Sequence, residues 1–329
     1  MVRKIIPNVD QIKDDSHKIK TVNEAIKDKF VRTTKNELGL KEPIIKYSHI
    51  PLGPIQSELY SLLKSEAARL LANMDKNNKE TFRRTGKSVM RLLQAATNPM
   101  LLGTDDEYRD NEPIAPLDKQ VWFLIEEFTK YEKPVKIEFL KNRVNEILSK
   151  DKKNKIVIWS SFVRNIVILE KLFKEYDPVS IYGAIPSGSD DDEEKREGRI
   201  RKFHESSSCR IIVANPQACG EGISLHKVCH NAIYLDRTFN AAHFLQSVDR
   251  IHRLGLSNEI DTNVEILVSK ETIDEVLIRR LNEKIENMGQ VLNDKYLTSL
   301  AYDPFDIRLE DENGIDSKDF EEIKNHIVQ

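Results

Sequence analysis

The sequence is poor in cysteine, lacks long apolar runs and shows no marked excess of one charge. Its three cysteines, Cys209, Cys219 and Cys229, lack the C-x-x-C spacing of a metal site, so buried, reduced thiols are expected. No apolar run approaches the roughly 20 residues that span a bilayer, and the first residues lack the apolar segment of a signal peptide. The formal net charge of -3 excludes a global positive field, so any nucleic-acid site must be a local patch. We expect a soluble intracellular protein.

Several common catalytic motifs are also missing. Residues 86–88 read GKS, but a phosphate-binding loop also needs glycine at position 81, where Thr81 stands. Such a loop follows a strand, whereas GKS lies within a segment of helical pattern. The histidines do not form the H-E-x-x-H pattern of a metalloprotease, and no G-x-S-x-G elbow is present. No acidic pair ends an apolar strand, as a magnesium site would require. We therefore expect no acyl-transfer centre and no metal site in this chain.

Short apolar runs alternate with amphipathic segments from Lys155 onward. The runs lie in KIVIWS, PVSIYG, CRIIVAN, NAIYLDRTF and NVEILVS, and segments of helical period separate most of them. Strands that are apolar throughout and alternate with helices are typical of a parallel sheet covered on both faces. The sequence therefore predicts an α/β fold whose ligand sites lie in loops at the carboxyl ends of the strands.

The regions that flank these runs have different patterns, and a length of 329 residues favours two domains. Residues 51–102 show helical period on both sides of the polar DKNNKETFRR, which predicts a helical layer before the sheet. Residues 103–120 form an acidic, proline-bearing connection. Residues 301–329 are acidic with a few apolar residues at helical spacing, which fits either a small docking helix or a mobile tail.

The segment FNAAHFLQSVDRIHRLG, from Phe239 to Gly255, combines an apolar stripe with two arginines. Asn240 has the short polar side chain that caps a first helical turn, so the spacing predicts one helix through this segment. One side of the helix would carry Gln246, Asp249, Arg250 and Arg253. Two guanidinium groups could then bind one phosphate through paired hydrogen bonds. The alternative is a solvated helix in which an i,i+4 ion pair has little energetic weight.

A glycine-bearing loop, ACGEGISL, follows the apolar run RIIVA. Gly220 and Gly222 would let backbone amides approach a phosphate or a nucleic-acid backbone without collision. The alternative is that these glycines serve turn geometry only.

Taken in order, the segments from Lys155 to Lys284 resemble the second RecA-like lobe of the Swi/Snf-like DNA translocases among superfamily-two helicases. QSVDRIHRLG is similar to the sixth motif, QxxDRxHRxG, and ACGEGISL resembles the fifth, AGGxGLNL. IVIWSSFVRNIVILEKLF resembles the fourth motif with its helix, IYGAI the strand and turn after it, and LDRTFNAA the segment that often reads DPxWNP. VRTTKNELGL, IPLGPIQSELYSLL and RLLQAATNPMLL extend the resemblance, so that it covers residues 31–287.

The resemblance implies an α/β fold with a RecA-like parallel sheet flanked by helices, an N-terminal helical insertion and a C-terminal brace helix. It implies four parts: residues 1–43, the end of the first lobe and a linker; residues 44–132, a helical part of the second lobe; residues 133–270, the RecA-like helicase C-terminal domain; and residues 271–329, the brace helix and an acidic tail. The P-loop lysine and DExH carboxylates of the family's first lobe are not found in this chain.

The resemblance also implies residue roles in an ATP-dependent, double-stranded DNA translocase. Arg250 and Arg253 would be arginine fingers that stabilise charge on the γ-phosphate. Nucleotide binding or coupling is expected of Gln246, Asp249, Gly220, Glu221 and Gly222. Contacts with DNA, chiefly its phosphates, are expected of Ser160, Ser161, Phe162, Gly183, Ser224, Phe239 and Asn240. ATP and Mg²⁺ would be held mainly by the first lobe, supplied in cis or in trans, so this chain alone is expected to show little ATPase activity.

A second hypothesis is a non-catalytic module that keeps the lobe fold and binds DNA or a protein partner. Four departures from the family motifs motivate it, as does the absent Walker site; the departures are Cys219, Ser224, Phe239 and Ala241. The retained arginine pair argues against it. Protein partners could bind the acidic C-terminal tail, and no membrane contact is expected. The protein would be cytoplasmic if bacterial and nuclear if eukaryotic, and Glu221 together with the acidic tail favours the bacterial branch by analogy.

Overall fold

Six parallel strands form one sheet in the computed structural model, which describes residues 20–22, 24–25, 40–72, 79–102, 118–189, 192–219, 223–257, 259–292 and 314–328. The strands are β1 Ile44–Ile50, β2 Ile156–Trp159, β3 Val179–Ile181, β4 Ile211–Ala214, β5 Asn231–Tyr234 and β6 Asn263–Ser269. Their order across the sheet is β1-β6-β5-β2-β4-β3, and each neighbouring pair is parallel. The five apolar runs of the sequence form β2 to β6, which confirms the predicted parallel sheet.

The central strands are apolar because both faces of the sheet are covered. Every residue of β2 and β4 is buried, as expected for strands inside a parallel sheet. Alternation along β2 directs Val157 and Trp159 into one hydrophobic cluster and Ile156 and Ile158 into another on the opposite face. The fold therefore has three layers, with the sheet in the middle.

The helices between Pro54 and Val328 divide between the two faces. They are α1 Pro54–Ala72, α2 Lys79–Thr97, α3 Lys119–Tyr131, α4 Val135–Lys150, α5 Val163–Leu172, α6 Arg196–Glu205, α7 Ala241–Val248, α8 Ile273–Leu292 and α9 Ser317–Val328. Buried side chains of α4 and α5 join the cluster on one face, and the other helices contribute to the cluster on the opposite face. Short 3-10 turns occupy Pro99–Leu101 and Lys174–Tyr176. None of the helices described is both long enough and apolar enough to span a bilayer.

Strand β1 is an edge strand that the sequence analysis did not identify. It lies within residues 44–132, which the sequence assigned to a helical part, and it pairs with β6 from Ile44 opposite Asn263 to Ile50 opposite Ser269. Its pattern is mixed because it lies beside a buried carboxylate on β6: Glu265 accepts a hydrogen bond from the Ser48 hydroxyl at 2.6 Å. A polar residue that hydrogen-bonds to a buried group therefore interrupts the apolar pattern by which the other strands are predicted.

The C-terminal residues include a docked helix. Phe320, Ile323 and Ile327 of α9 are buried in the same cluster as α1 and α8, and the Tyr60 hydroxyl of α1 lies 3.1 Å from Nε2 of His326. Of the two alternatives for the tail, the structure shows the docking helix for Ser317–Val328. Residues 103–117 of the proline-bearing connection and residues 301–313 and 329 of the acidic tail lie outside the described residues.

A fully buried lysine ties two strand ends together. Lys136, at the start of α4, forms an ion pair with Asp274 at the start of α8, and its ammonium donates to the backbone carbonyl of Leu235 after β5. Asp274 also accepts from the backbone N–H of Ser269 at 2.9 Å, at the end of β6. The pair therefore joins helices from opposite faces around the carboxyl edge of the sheet.

We expect Lys136→Met to lower the free energy of unfolding by about 3–5 kcal/mol, because the buried Asp274 carboxylate loses the cation that pairs with it. Lys150→Met is the matched control on the same helix, where Lys150 pairs with Glu146 in an exposed position. That change should alter stability by no more than about 1 kcal/mol. Denaturant unfolding measures both, and equal losses would contradict the role given to Lys136.

Candidate functional site

A buried carboxylate organises the carboxyl edge of the sheet. Asp236, just beyond β5, accepts hydrogen bonds from the Ser160 hydroxyl and the Ser161 backbone N–H, both at 2.6 Å, and from the Asn165 amide at 3.4 Å. Burial raises the pKa of Asp236 to about 6, and the hydrogen bonds from Ser160 and Ser161 oppose that rise. Asp236 therefore fixes the turn after β2 against the end of β5.

Asparagines extend this network to neighbouring elements. Asn215, directly after β4, donates to the carbonyl of Ser161 at 3.1 Å. Asn165 of α5 accepts from the side-chain amide of Asn98 at 3.0 Å, between α2 and the turn Pro99–Leu101. The turn that resembles the fourth motif is thus held by hydrogen bonds from both neighbouring strand ends, which leaves its backbone little freedom.

Helix α7 begins as predicted but ends earlier than predicted. The Asn240 side chain accepts from the backbone N–H of His243 at 3.0 Å, which confirms it as the cap. The helix ends at Val248, and the next turns tighten: the N–H of Arg250 donates to Ser247 and that of Ile251 to Val248. The prediction of a single helix through Gly255 is therefore wrong.

The predicted face of Gln246, Asp249, Arg250 and Arg253 does not form, because Arg250 and Arg253 lie in turns after the helix. A tertiary hydrogen bond is also incompatible with a helix that continues through this segment. The carbonyl of Arg250 accepts from the backbone N–H of Leu225 at 2.8 Å, in the loop after β4, and so does not continue the helical ladder.

A second hydrogen bond joins the same two segments in the opposite direction. Nη1 of Arg250 donates to the carbonyl of Ile223 at 3.1 Å. The loop that resembles the fifth motif and the turn that resembles the sixth are therefore joined in both directions; we call this pair of bonds the loop–turn link. Burial lowers the pKa of Arg250, although a guanidinium remains charged at working pH. Arg253 is exposed on the same turn.

Three histidines also hold these segments, although their spacing in the sequence gives no sign of it. Nε2 of His204 donates to the carbonyl of Ser224 at 2.8 Å, and Nδ1 of His226 lies 2.9 Å from the Ser224 hydroxyl. Nε2 of His252 donates to the carbonyl of Lys41 at 2.7 Å. Burial lowers the pKa of His226, and the positive charge of Arg253 adds to that effect.

The other predicted site residues differ in accessibility. Ser160, Phe162 and Phe239 are buried, and so is Asp249. The residues with surface available to a ligand are Ser161, Gly183, Ser224, Asn240 and Gln246. Gly220, Glu221 and Gly222 lie outside the described residues. Among the residues that are described, no group of three His, Cys, Asp or Glu is arranged to hold a metal ion.

The sequence of this chain is similar to those of known helicases. Residues 136–255 match the helicase conserved C-terminal domain. The chain is 30% identical over 184 residues to the ATP-dependent helicase FUN30 of Saccharomyces cerevisiae, covering 54% of the chain and 16% of FUN30. It is 25% identical over 321 residues to the chromatin remodeling factor mit1 of Schizosaccharomyces pombe, covering 95% of the chain and 20% of mit1. The chain thus spans a fifth or less of the length of these two relatives.

Solved structures show the same fold. The C-terminal part of the Fun30 ATPase domain superposes with a TM-score of 0.57 at 20% identity, covering 88% of this chain and 97% of that one. The Sulfolobus solfataricus SWI2/SNF2 ATPase C-terminal domain gives a TM-score of 0.50 at 19% identity, covering 74% and 86%. The chain thus contains a helicase C-terminal domain, and its relatives are Snf2-family helicases. Its RecA-like fold confirms the fold class that the sequence predicted.

Within this helicase C-terminal domain, the segments that resemble the fifth and sixth motifs meet through the loop–turn link at the carboxyl edge of the sheet. Two of the motif departures are core residues: Cys219 and Phe239 are each about 1% exposed. A cysteine and a phenylalanine at these positions therefore serve packing inside the lobe.

The raised pKa of Asp236 predicts a pH-dependent stability. Since the folded pKa, about 6, exceeds the ordinary value of 3.8, the folded lobe binds more protons near pH 5 than the unfolded chain. The stabilisation is present below the unfolded pKa and is lost as pH rises through the folded value. From pH 5 to pH 7 the lobe should lose about 1 kcal/mol relative to an Asp236→Asn variant, which does not titrate. Denaturant unfolding at both pH values measures this, and parallel changes in the two proteins would show that Asp236 titrates normally.

Proposed function

We propose that this chain is the second motor lobe of an ATP-dependent double-stranded DNA translocase. Arg250 and Arg253 act as arginine fingers, and ATP hydrolysis requires a first RecA-like lobe in cis or in trans. The proposal rests on one observation above all. The loop–turn link joins the fifth-motif loop to the turn that carries both arginines. A change at one segment is thereby passed to the other.

The two arginines have complementary environments for this role. Arg250 is partly buried and its guanidinium holds the loop, whereas Arg253 is exposed at the same edge. An exposed guanidinium on a fixed turn can bind a phosphate of a nucleotide held by another lobe, because its planar fork makes paired, charge-assisted hydrogen bonds. Arg250 then positions the turn, and Arg253 approaches the nucleotide most closely.

ATP and Mg²⁺ fit the residues present only in part. Guanidinium groups suit phosphate oxygens, and half-buried Gln246 lies on α7 just before the turn. When bound, the nucleotide and metal would supply the transferable phosphoryl group and neutralise its charge. Holding them falls mainly to the first lobe, and this chain contributes the arginines from one side. Its own residues stabilise charge that develops on the phosphate.

Contacts with double-stranded DNA are proposed at the fourth-motif turn, at the turn after β3 and at the start of α7. Ser161, Gly183 and Asn240 have accessible surface there, while Ser160, Phe162 and Phe239 fix the backbone from inside. Backbone N–H groups and short polar side chains suit phosphates instead of base edges. Binding should therefore tolerate sequence and weaken as salt rises.

The alternative, a non-catalytic DNA- or protein-binding module, draws less support from the structure. Three of the motif departures that motivate it are Cys219, Phe239 and Ala241, and all three are buried in the core, where they serve packing. Asp316 and Asp319 of the acidic tail are likewise used inside the fold, in ion pairs with Lys284. A protein partner at the tail stays a prediction. So does the compartment, since relatives occur in fungi and in Bacillus subtilis.

Arg253→Ala should lower DNA-stimulated ATP hydrolysis by about 10³-fold or more when a first lobe completes the motor, because an arginine finger is lost. Arg253→Lys should not restore the rate, since an ammonium lacks the planar fork. Lys152→Ala is the control: Lys152 is an exposed cation before β2, at the opposite edge of the sheet.

Rates are measured as ATP turnover with saturating duplex DNA. The proposal predicts no loss for Lys152→Ala and a large loss for Arg253→Ala. Equal turnover by Arg253→Ala and the unaltered lobe would exclude Arg253 as a finger.

A further inference from the structure

Four buried charges join α8 to the segment before and inside α9. Arg280 and Lys284 of α8 face Asp316 and Asp319, and all four side chains are almost completely buried. Nε of Arg280 donates to Asp319 at 2.6 Å, while Nζ of Lys284 lies 2.7 Å from Asp319 and 3.1 Å from Asp316. Two cations and two carboxylates balance, which burial requires.

The two carboxylates also begin helix α9. The backbone N–H of Asp319 donates to the Asp316 side chain at 2.7 Å, and the N–H of Asp316 donates to the Asp319 side chain at 2.9 Å. This reciprocal pattern is a capping box with aspartate in place of glutamate. The ion pairs and the start of α9 therefore form or separate together. We call Gly314–Val328 the C-terminal strap.

Lys284 connects the strap to the start of α7. Besides the carboxylates, its ammonium donates to the carbonyl of Gly314 at 2.8 Å and to the carbonyl of Phe239 at 3.1 Å. Phe239 directly precedes Asn240, the cap of α7. One buried ammonium thus binds both the strap and the residue from which the motif-bearing helix begins.

Gly314 shows how closely the strap approaches α7. Its φ of +77° lies in the left-handed region, and a Cβ atom there would lie 2.7 Å from both Cα and Cβ of Asn240. Only glycine allows this approach. Any displacement of Gly314 toward the helix would move Asn240 itself.

We propose that Lys284 is a positioning residue for the arginine turn, and that docking of the C-terminal strap sets the position of α7. Helix α7 has eight residues and leads directly into Arg250, so a shift of its first turn is carried to the loop–turn link. Release of the strap removes Gly314, Asp316 and Asp319 from the Lys284 ammonium, so that the donor to the Phe239 carbonyl is no longer held in place and the first turn of α7 loosens. The catalytic part of this inference rests on the proposed function; the structural part does not.

The structural part is tested in the chain alone by amide hydrogen exchange. Lys284→Met should speed exchange of the α7 amides 241–248 by about tenfold. In the unaltered chain, local opening of α7 must break the contacts of the Lys284 ammonium, and the variant lacks these contacts. Arg279→Met is the matched control, since Arg279 pairs with Glu322 between the same two helices at an exposed position, 2.9 Å apart. Unchanged exchange in Lys284→Met, or equal acceleration in both variants, would overturn the coupling.

Gly314→Ala is a second variant that leaves the four charges intact. Its new Cβ must displace Asn240, so exchange of the α7 amides should rise as it does in Lys284→Met. A thermal melt shows whether each variant folds. If Lys284→Met does not fold, Gly314→Ala decides: a folded variant with unchanged α7 exchange would refute the inference.

The catalytic part is tested with a first lobe and duplex DNA. Both variants should lower kcat for ATP by about tenfold with KM within about twofold, because a small misplacement acts on turnover more than on nucleotide binding. Lys284→Arg, which keeps a cation, should recover part of kcat. Faster α7 exchange with unchanged kcat would refute the catalytic role. If Arg253→Ala is also without effect, the proposed function has failed while the coupling stands.

Discussion

The hydrogen bonds between the loop after β4 and the turn after α7 are the constraint on which this lobe depends. They are incompatible with a helix that continues to Leu254, because the Arg250 carbonyl accepts from the Leu225 N–H and not from the N–H four residues later. They also hold the Arg250 guanidinium against the Ile223 carbonyl and leave Arg253 exposed. A continuous helix would have distributed the arginines along one face. The tighter turn concentrates them at the carboxyl edge, where parallel sheets place their ligand sites.

Buried polar groups stabilise the same edge from beneath. Asp236 fixes the turn after β2, and Lys136 joins the ends of β5 and β6 through Asp274. Such groups are costly unless every one is satisfied, so they favour one arrangement of the strand ends over others. Lys284 is a further buried charge of this kind, and it binds the Phe239 carbonyl at the start of α7. Thus three separate buried charges determine the position of loops that carry the site.

Much of this fold could be predicted from the sequence, and the failures have a common cause. Continuous apolar runs identified β2 to β6, because strands covered on both faces are apolar throughout. Strand β1 was missed because it lies beside buried Glu265 and carries polar residues to satisfy it. The turns after α7 were missed because they include a tertiary hydrogen bond, from the Leu225 N–H to the Arg250 carbonyl. Periodicity reports local preference, and it is silent about bonds between segments that are distant in the chain.

The candidate site followed the same division. The Asn240 cap could be predicted from one residue type in one local pattern. The burial of Ser160 could not, since its hydroxyl bonds to Asp236, which lies more than 70 residues away. Nor could the three histidines be assigned, because each binds a carbonyl or hydroxyl whose position only the fold determines. Motif order indicated which segments to compare, and the structure shows which contacts their residues make.

The most direct test is a structure of this chain bound to a first RecA-like lobe, duplex DNA and a non-hydrolysable ATP analogue. The account predicts that the Arg253 guanidinium hydrogen-bonds to the γ-phosphate while the Leu225–Arg250 bond remains intact. A complex in which the nucleotide is bound without either arginine, or in which the loop–turn link is broken, would contradict it.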